Sequence, residues 1–318
     1  TIADANLTAM LAGIALFART GTVAPQAVID EELCIPTGDC LCGQPQAQAR
    51  TRVIPITPST QVALPHCREA GFETMVTIPV QMQLRLLGEV NLFFRAPVEM
   101  TAEDIAAEEF VSVTLADTEE VWASVFRQQL GRTYAPAVLY LYKGVAQSPC
   151  GGASGATGPF YCPADQKIYL DTDFFTTLER RLGAGGDFAA AYVIAHEIGH
   201  HVQNELGTLG RATELRARVS EVESNEISVR VELQADCLAG IWAREAEALF
   251  GSLESGDLEE AVNAARQIGD DTLQRNAGNV VMPHTFTHGT SQQRSRWFKT
   301  GQKSGKLSAC NTFTSGDL

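Results

Sequence analysis

The chain has 318 residues, enough for two domains of ordinary size, and its 45% apolar and 19% charged residues suit a globular protein able to bury cores. A formal charge of −14 argues against nucleic acid or an anionic membrane as partner, since both must be met by a basic surface, although it leaves room for a locally basic patch. No membrane span is expected: the most apolar early run, residues 7–18, falls short of the roughly 20 residues required and lacks the basic flank of a signal peptide.

In chain order, residues 74–80 and 84–94 are rich in β-branched and aromatic side chains and read as two strands joined by a tight connection. Pro97 ends the second, and Thr101-Ala-Glu-Asp104 is a capping-box-like start for a helix. Four cysteines, Cys34, Cys40, Cys42 and Cys67, fall in this part of the chain. Such a group can ligate a metal or a cluster, but Cys-x-Cys is a weak ligand signature and packed free thiols are the simpler reading. Together with Asp39-Cys-Leu-Cys-Gly43 and His66-Cys67-Arg-Glu-Ala-Gly71-Phe72, the strand pair resembles the later half of a GAF sensory domain. That resemblance implies a partial GAF-like α/β domain over residues 1–108, whose closing helix runs into the next domain.

Residues 116–130 then read as an amphipathic helix and residues 137–142 as a strand. The glycines of residues 151–158 do not fit a phosphate-binding pattern, because no Gly-Lys-Ser/Thr follows. Residues 166–171 form a further expected strand. Next comes Asp187-Phe-Ala-Ala-Ala-Tyr-Val-Ile-Ala-His196-Glu197-Ile-Gly-His200-His201, a helical stretch with Asp187 at its start and Gly207 as its stop. It contains H-E-x-x-H. At 3.6 residues per turn, His196 and His200 project from one face about a turn apart, a spacing at which two neutral imidazoles can grip one Zn2+. Glu197 then stands beside the open coordination position, where it can take a proton from metal-bound water. His201 points some 100° away and is a poor third ligand.

The charged segment 211–225 reads as a solvated helix or loop over the site. Residues 229–242 predict another helix, on which Glu232 and Asp236 share a face. Glu232 completes a His2Glu ligand set, and Asp236, one turn on, can accept the outer N–H of a ligating histidine. Residues 258–275 read as one amphipathic helix. His288, in Phe286-Thr-His288-Gly, is a candidate for stabilising negative charge on a carbonyl oxygen beside the metal; His284 and Arg294 are weaker ones. The remaining cysteines, Cys150, Cys162, Cys237 and Cys310, allow three pairings, of which Cys150–Cys162 with Cys237–Cys310 would staple a glycine-rich loop and the C-terminal tail.

The histidine helix, the Glu232 helix, Gly158-Pro-Phe-Tyr-Cys-Pro-Ala-Asp-Gln-Lys-Ile-Tyr-Leu170, Ile268-Gly-Asp-Asp271 and Phe286-Thr-His-Gly-Thr-Ser291 resemble, in order and spacing, the bacterial neutral zinc metallopeptidases. The resemblance covers about residues 110–313. It implies an α+β, zincin-like, gluzincin-type domain over residues 109–318. In that reading His196, His200 and Glu232 bind zinc, Glu197 is the general base, Asp236 lies behind a ligand, and a histidine stands at the position of His288. The expected function is zinc-dependent endopeptidase hydrolysis of a peptide or protein substrate. The alternative is a non-catalytic GAF-type redox or ligand sensor with structural zinc or none. Relatives of the peptidase segment are often membrane-anchored, and structural disulfides belong outside the cytoplasm, whereas the absence of a visible signal or span points inside it; the sequence leaves location open.

Overall fold

The structure, a computed structural model, describes residues 52–55, 73–82, 85–94, 102–142, 144–154, 158–180, 183–316 and 318. The chain divides into two compact units, one comprising Thr1–Ala116, Val138–Gly158 and Lys167–Asp173, the other Asp117–Ala137, Pro159–Gln166 and Phe174–Leu318. Residues 7–18, the cysteines at 34, 40, 42 and 67, and the segments 39–43 and 66–72 that carry the GAF resemblance lie outside the described residues.

In the first unit, β1 (Arg52–Pro55), β2 (Thr74–Met82) and β3 (Arg85–Phe94) form an antiparallel sheet. The strand pair expected from residues 74–94 is present, with Thr74 opposite Phe94, Met82 opposite Arg85 and a register shift at Val80/Gln81. A continuous helix, α1 (Ala102–Val125), follows. It absorbs both the helix start expected at Thr101 and the helix expected from residue 116. Further on, β4 (Val138–Tyr142) precedes a hairpin of β5 (Val145–Ser148) and β6 (Gly151–Ser154), which takes up the start of the glycine-rich stretch. Of the last two strands, β7 (Phe160–Cys162) belongs to the second unit, while β8 (Lys167–Asp171) pairs in parallel with β4. Four consecutive residues of β4 and of β8 are buried, the pattern of parallel strands covered on both faces.

The second unit is mainly helical: α2 (Phe174–Arg180), α3 (Asp187–Glu205), α4 (Thr208–Arg216), α5 (Glu221–Phe250), α6 (Asp257–Gln267), α7 (Asp270–Asn276) and α8 (Ser291–Ser304). Helix α3 has the bounds its alanine run and flanking glycines predict, although Gly186, and not Asp187, occupies the N-cap. Helix α5 is longer than residues 229–242 suggested. Ser220 and Glu223 close a reciprocal capping box at its start and Gly251, in the left-handed region, ends it. The charged segment 211–225, expected as a solvated helix or loop, is exposed along most of its length and supplies the later part of α4 and the first turns of α5. Residues 258–275 are two helices. Gly269, with extended backbone, separates them; the Ser291 amide lies 2.5 Å from where its Cβ would be, so only glycine fits there, and Asp270 and Asp271 at the start of α7 accept from the amides of Thr287 and Ser291. Among the described residues, no helix is long and apolar enough to cross a membrane.

In the second unit, the end of α1 buries Val121, Trp122, Val125 and Phe126, and Phe126 meets Tyr134 edge to face. Glu119 lies on this stretch with one carboxyl oxygen buried and without a hydrogen-bond partner, and burial pushes its pKa up to about 8. A carboxyl that stays protonated in the folded chain but ionises in the unfolded one near pH 4.5 contributes stability at low pH and loses it as pH rises through 8. The slope is at most about 1.4 kcal/mol per pH unit. Glu119→Gln is therefore expected to raise the melting temperature at pH 8 and leave it unchanged at pH 4. An equal shift at both values would show that the carboxyl is not held neutral.

Candidate metal centre

Two packed helices build the centre. Helix α3 carries His196 and His200 on one face, their rings 4.8 Å apart and nearly perpendicular. Helix α5 crosses this face closely because residue 199 is glycine: a Cβ there would stand 3.0 Å from the Ala235 carbonyl oxygen and 3.2 Å from its Cα. That approach brings Glu232 to the histidines. Its Oε2 lies 3.1 Å from His196 Nε2 and its Oε1 3.5 Å from His200 Nε2. One ligand atom from each of His196, His200 and Glu232 lies within 4.8 Å of the others. Two imidazole nitrogens and a carboxylate oxygen are the donor set of hydrolytic zinc sites, and three protein ligands leave a position open. Glu197, next to His196 on α3, is 7% exposed.

The outer nitrogens of both histidines are occupied. His196 Nδ1–H donates to Asp236 Oδ1 at 2.8 Å, and His200 Nδ1–H donates to Gln203 Oε1 at 2.9 Å. Both Nε2 atoms are thereby turned toward Glu232. The two partners differ in kind. Asp236 is a charged hub, fully buried, accepting also from the Tyr192 hydroxyl at 2.5 Å and from Arg294 Nε and Nη2 at 2.8 and 2.9 Å. Gln203 is neutral and is fixed by its own amide, which donates to the Val231 carbonyl and to Gln234. Burial alone would raise the Asp236 pKa, but Arg294 and then His196 hold it at about 2. In the same way burial works against a charged Glu232, yet His200 and His196 keep its carboxyl well below the usual range. Arg294, read from sequence as a possible group facing substrate, is instead 2% exposed and clamps the carboxylate behind His196.

Helix α8 reaches Asp236 through a second close contact. A Cβ on Gly301 would stand 1.8 Å from the Cys237 carbonyl oxygen, and one on Gly240 would stand 2.0 Å from that of Phe298. The Cys237–Cys310 disulfide, one residue beyond Asp236, ties the C-terminal segment to the same helix, and Cys150 and Cys162 are also disulfide-bonded. Gln203, Tyr192, Gly199, Gly301 and Gly240 are the residues of this centre that sequence reading passed over. Only Gln203, one turn beyond His200, lay within reach of the argument that found Asp236.

His288 lies on the loop between α7 and α8. The amides of Thr287, His288 and Gly289 all donate to Asp270 Oδ2, at 2.8, 2.6 and 2.9 Å, and His288 Nδ1 lies 3.3 Å from Asp270 Oδ1. Gly289, at φ +91°, rests against Val229 and Leu233 of α5, which sets the loop on the helix that carries Glu232. The His288 side chain is half-exposed; desolvation opposes its charged form, but Asp270 and Glu232 raise its pKa. His201 faces the other way: its Nε2–H donates to the Ala135 carbonyl at 2.7 Å, the Tyr161 hydroxyl lies at Nδ1, and burial lowers its pKa. His284 offers its backbone carbonyl to Asn225.

A mixed, largely helical chain with two histidines and a glutamate converging from adjacent helices defines a candidate metalloprotein of the zinc-hydrolase class. The chain belongs to the family described as "Putative neutral zinc metallopeptidase", whose model matches residues 94–313. It is 50% identical over 211 residues to the uncharacterized protein YpfJ of Escherichia coli K12, a match covering 66% of this chain and 72% of that one. It is 42% identical over 195 residues to the uncharacterized protein Mb2605 of Mycobacterium bovis, covering 58% and 65% of the two chains. The uncharacterized protein Rv2575 of Mycobacterium tuberculosis H37Rv matches at the same 42% identity. No solved structure matches the chain.

Proposed function

We propose that this protein is a zinc-dependent endopeptidase that hydrolyses internal peptide bonds of a peptide or protein substrate. The observation that carries the reading is the convergence of His196, His200 and Glu232 within 4.8 Å, with a buried Glu197 on the same helix, in a chain of a zinc metallopeptidase family. The ligand residues are His196, His200 and Glu232. Bound there, zinc would supply Lewis acidity, bringing the pKa of a water toward neutrality and polarising a carbonyl. Glu197 takes the proton of the attacking water on its carboxylate and returns it to the leaving amine nitrogen. Asp236 and Gln203 hold the ligand imidazoles in the Nδ1–H form, and Arg294 with Tyr192 keeps Asp236 ionised and in place. His288, fixed by Asp270, donates a hydrogen bond to the carbonyl oxygen as negative charge develops on it. In this reading residues 109–318 form the zincin-like, gluzincin-type unit, and residues 1–108 precede it as a partial GAF-like segment.

Metal analysis of the purified chain with a peptide-library digest tests the reading. One zinc per chain is expected, with cleavage that stops on chelation and returns when zinc is restored. Cleavage that survives removal of all divalent metal would overturn it, as would a thiol-bound metal in a chain that cleaves nothing, the outcome favouring a sensor.

A further inference from the structure

We propose that the cleft enclosed by α6, α7 and α8 is a binding site for a small multivalent oxyanion carrying two or three linked phosphate groups. Helix α8, Ser291–Ser304, contains Arg294, Arg296, Lys299 and Lys303 and no carboxylate. Arg294 turns inward to Asp236. The other three, spaced i, i+3 and i+7, lie on one exposed face of the helix. Arg266, in the last turn of α6, and Arg275, in the last turn of α7, bring two more cations to the same cleft, whose volume is about 570 Å³.

In this chain such a collection is unexpected. With 38 Asp and Glu against 24 Lys and Arg, carboxylates are in surplus, yet Arg266, Lys299 and Lys303 have no ion-pair partner among the described residues. Asp271 is the one carboxylate lining the cleft among the described residues. It is already engaged by the Ser291 amide at 2.7 Å, the Ser291 hydroxyl and the Arg275 guanidinium. A second carboxylate, Glu259, lines an adjoining groove together with Arg266, Lys299 and Lys303 but forms no ion pair with them. Like charges in excess of their counter-charges repel one another, and a bound anion relieves that repulsion.

The charge count selects the ligand. Of the five cationic side chains that line the cleft, Arg275 is paired with Asp271 and Arg296 has a partner of its own, which leaves the three positive charges of Arg266, Lys299 and Lys303 to be met. A single carboxylate ligand falls well short of that, whereas two linked phosphates bring roughly −3 to −4 and the acceptor oxygens that guanidinium groups engage in pairs. A concave site suits a compact anion better than a bilayer or a duplex. The net charge of −14 repels such extended polyanions, while a compact anion seated in the cleft meets the local cations at contact distance, inside the Debye length of about 8 Å. The proposal does not depend on zinc or on peptidase activity.

The test is calorimetric titration of the full chain with inorganic pyrophosphate at low ionic strength, repeated with Glu232→Ala to separate any contribution of the metal centre. One saturable site per chain is expected. The double variant Arg266→Ala/Lys299→Ala should weaken it by about ten-fold or more, Lys299→Arg should keep it, and Glu232→Ala should leave it unchanged. Arg266 and Lys299 are exposed, and melting curves recorded for each variant, Glu232→Ala included, will show that it folds. The proposal is overturned if the double variant binds as the parent does, if Glu232→Ala abolishes binding, or if no saturable heat is seen. Sedimentation with phosphatidylserine vesicles in the absence of pyrophosphate binding would overturn it in favour of a lipid surface.

Discussion

Glu197→Gln is expected to lower kcat by about 10²–10⁴-fold, the range associated with a positioned general base, while the chain still takes up one zinc. The glutamine keeps the shape of the side chain and removes its capacity to accept and return a proton. Glu197 is not among the three residues whose ligand atoms converge, so its replacement leaves His196, His200 and Glu232 as they are. Glu232→Ala should behave in the opposite way. It deletes a donor and leaves two histidines facing a gap, so zinc affinity itself should fall by more than the 10–100-fold typical of losing an outer partner such as Asp236 or Gln203. Measuring metal content beside turnover separates the two. Normal turnover by Glu197→Gln would remove the proposed base, and tight zinc binding by Glu232→Ala would remove the proposed ligand.

The second large effect is expected from a residue that touches neither metal nor substrate. Gly301→Ala places a methyl group 1.8 Å from the Cys237 carbonyl oxygen and 3.0 Å from the Ile241 amide, both main-chain atoms of α5 that cannot swing aside. Helix α8 must move outward. Overpacking of this kind should cost about 3 kcal/mol or more, a fall in melting temperature of roughly 6–12 °C for a unit of this size. The same displacement draws Arg294 off Asp236, where the contacts are 2.8 and 2.9 Å, so zinc affinity should fall together with stability. Gly210→Ala is the control. Nothing lies within 4 Å of a Cβ there, and on a helix alanine is favoured over glycine, so it should be neutral or slightly stabilising. If Gly301→Ala melted with the parent and bound zinc as tightly, close contact between α5 and α8 would not be what holds the carboxylate behind His196.

Legibility varied with distance along the chain. The pairs His196/His200 and Glu232/Asp236 could be placed on common faces because a helix fixes the direction of residues four apart, whatever packs around it. The β2–β3 pair was readable for a related reason, since short connections join antiparallel neighbours. The 258–275 segment was misread as one helix because its periodicity continues past Gly269. At Gly269 the backbone turns extended, and the start of α8 packs so closely there that Ser291 occupies the space a side chain would need. Arg294 shows the same limit. Its residue type suits either a substrate-facing cation or a buried clamp, and only the helix-to-helix spacing permitted by Gly240 and Gly301 sends it to Asp236.

What the sequence determined by itself was a set of local directions: two imidazoles on one helix face, two carboxylates on another, a glutamate beside the first pair. These follow from a 3.6-residue repeat and need no knowledge of the partner. The tertiary structure alone decided that the two faces meet, that Gln203 and Asp236 become unlike partners for the two histidines, and that the cations of α8 divide between a buried clamp and an open cleft. The reason is physical: a helix sets where its own side chains point, but the distance between two helices is set by the smallest residues where they cross, and those glycines carry no chemistry that would mark them in a sequence.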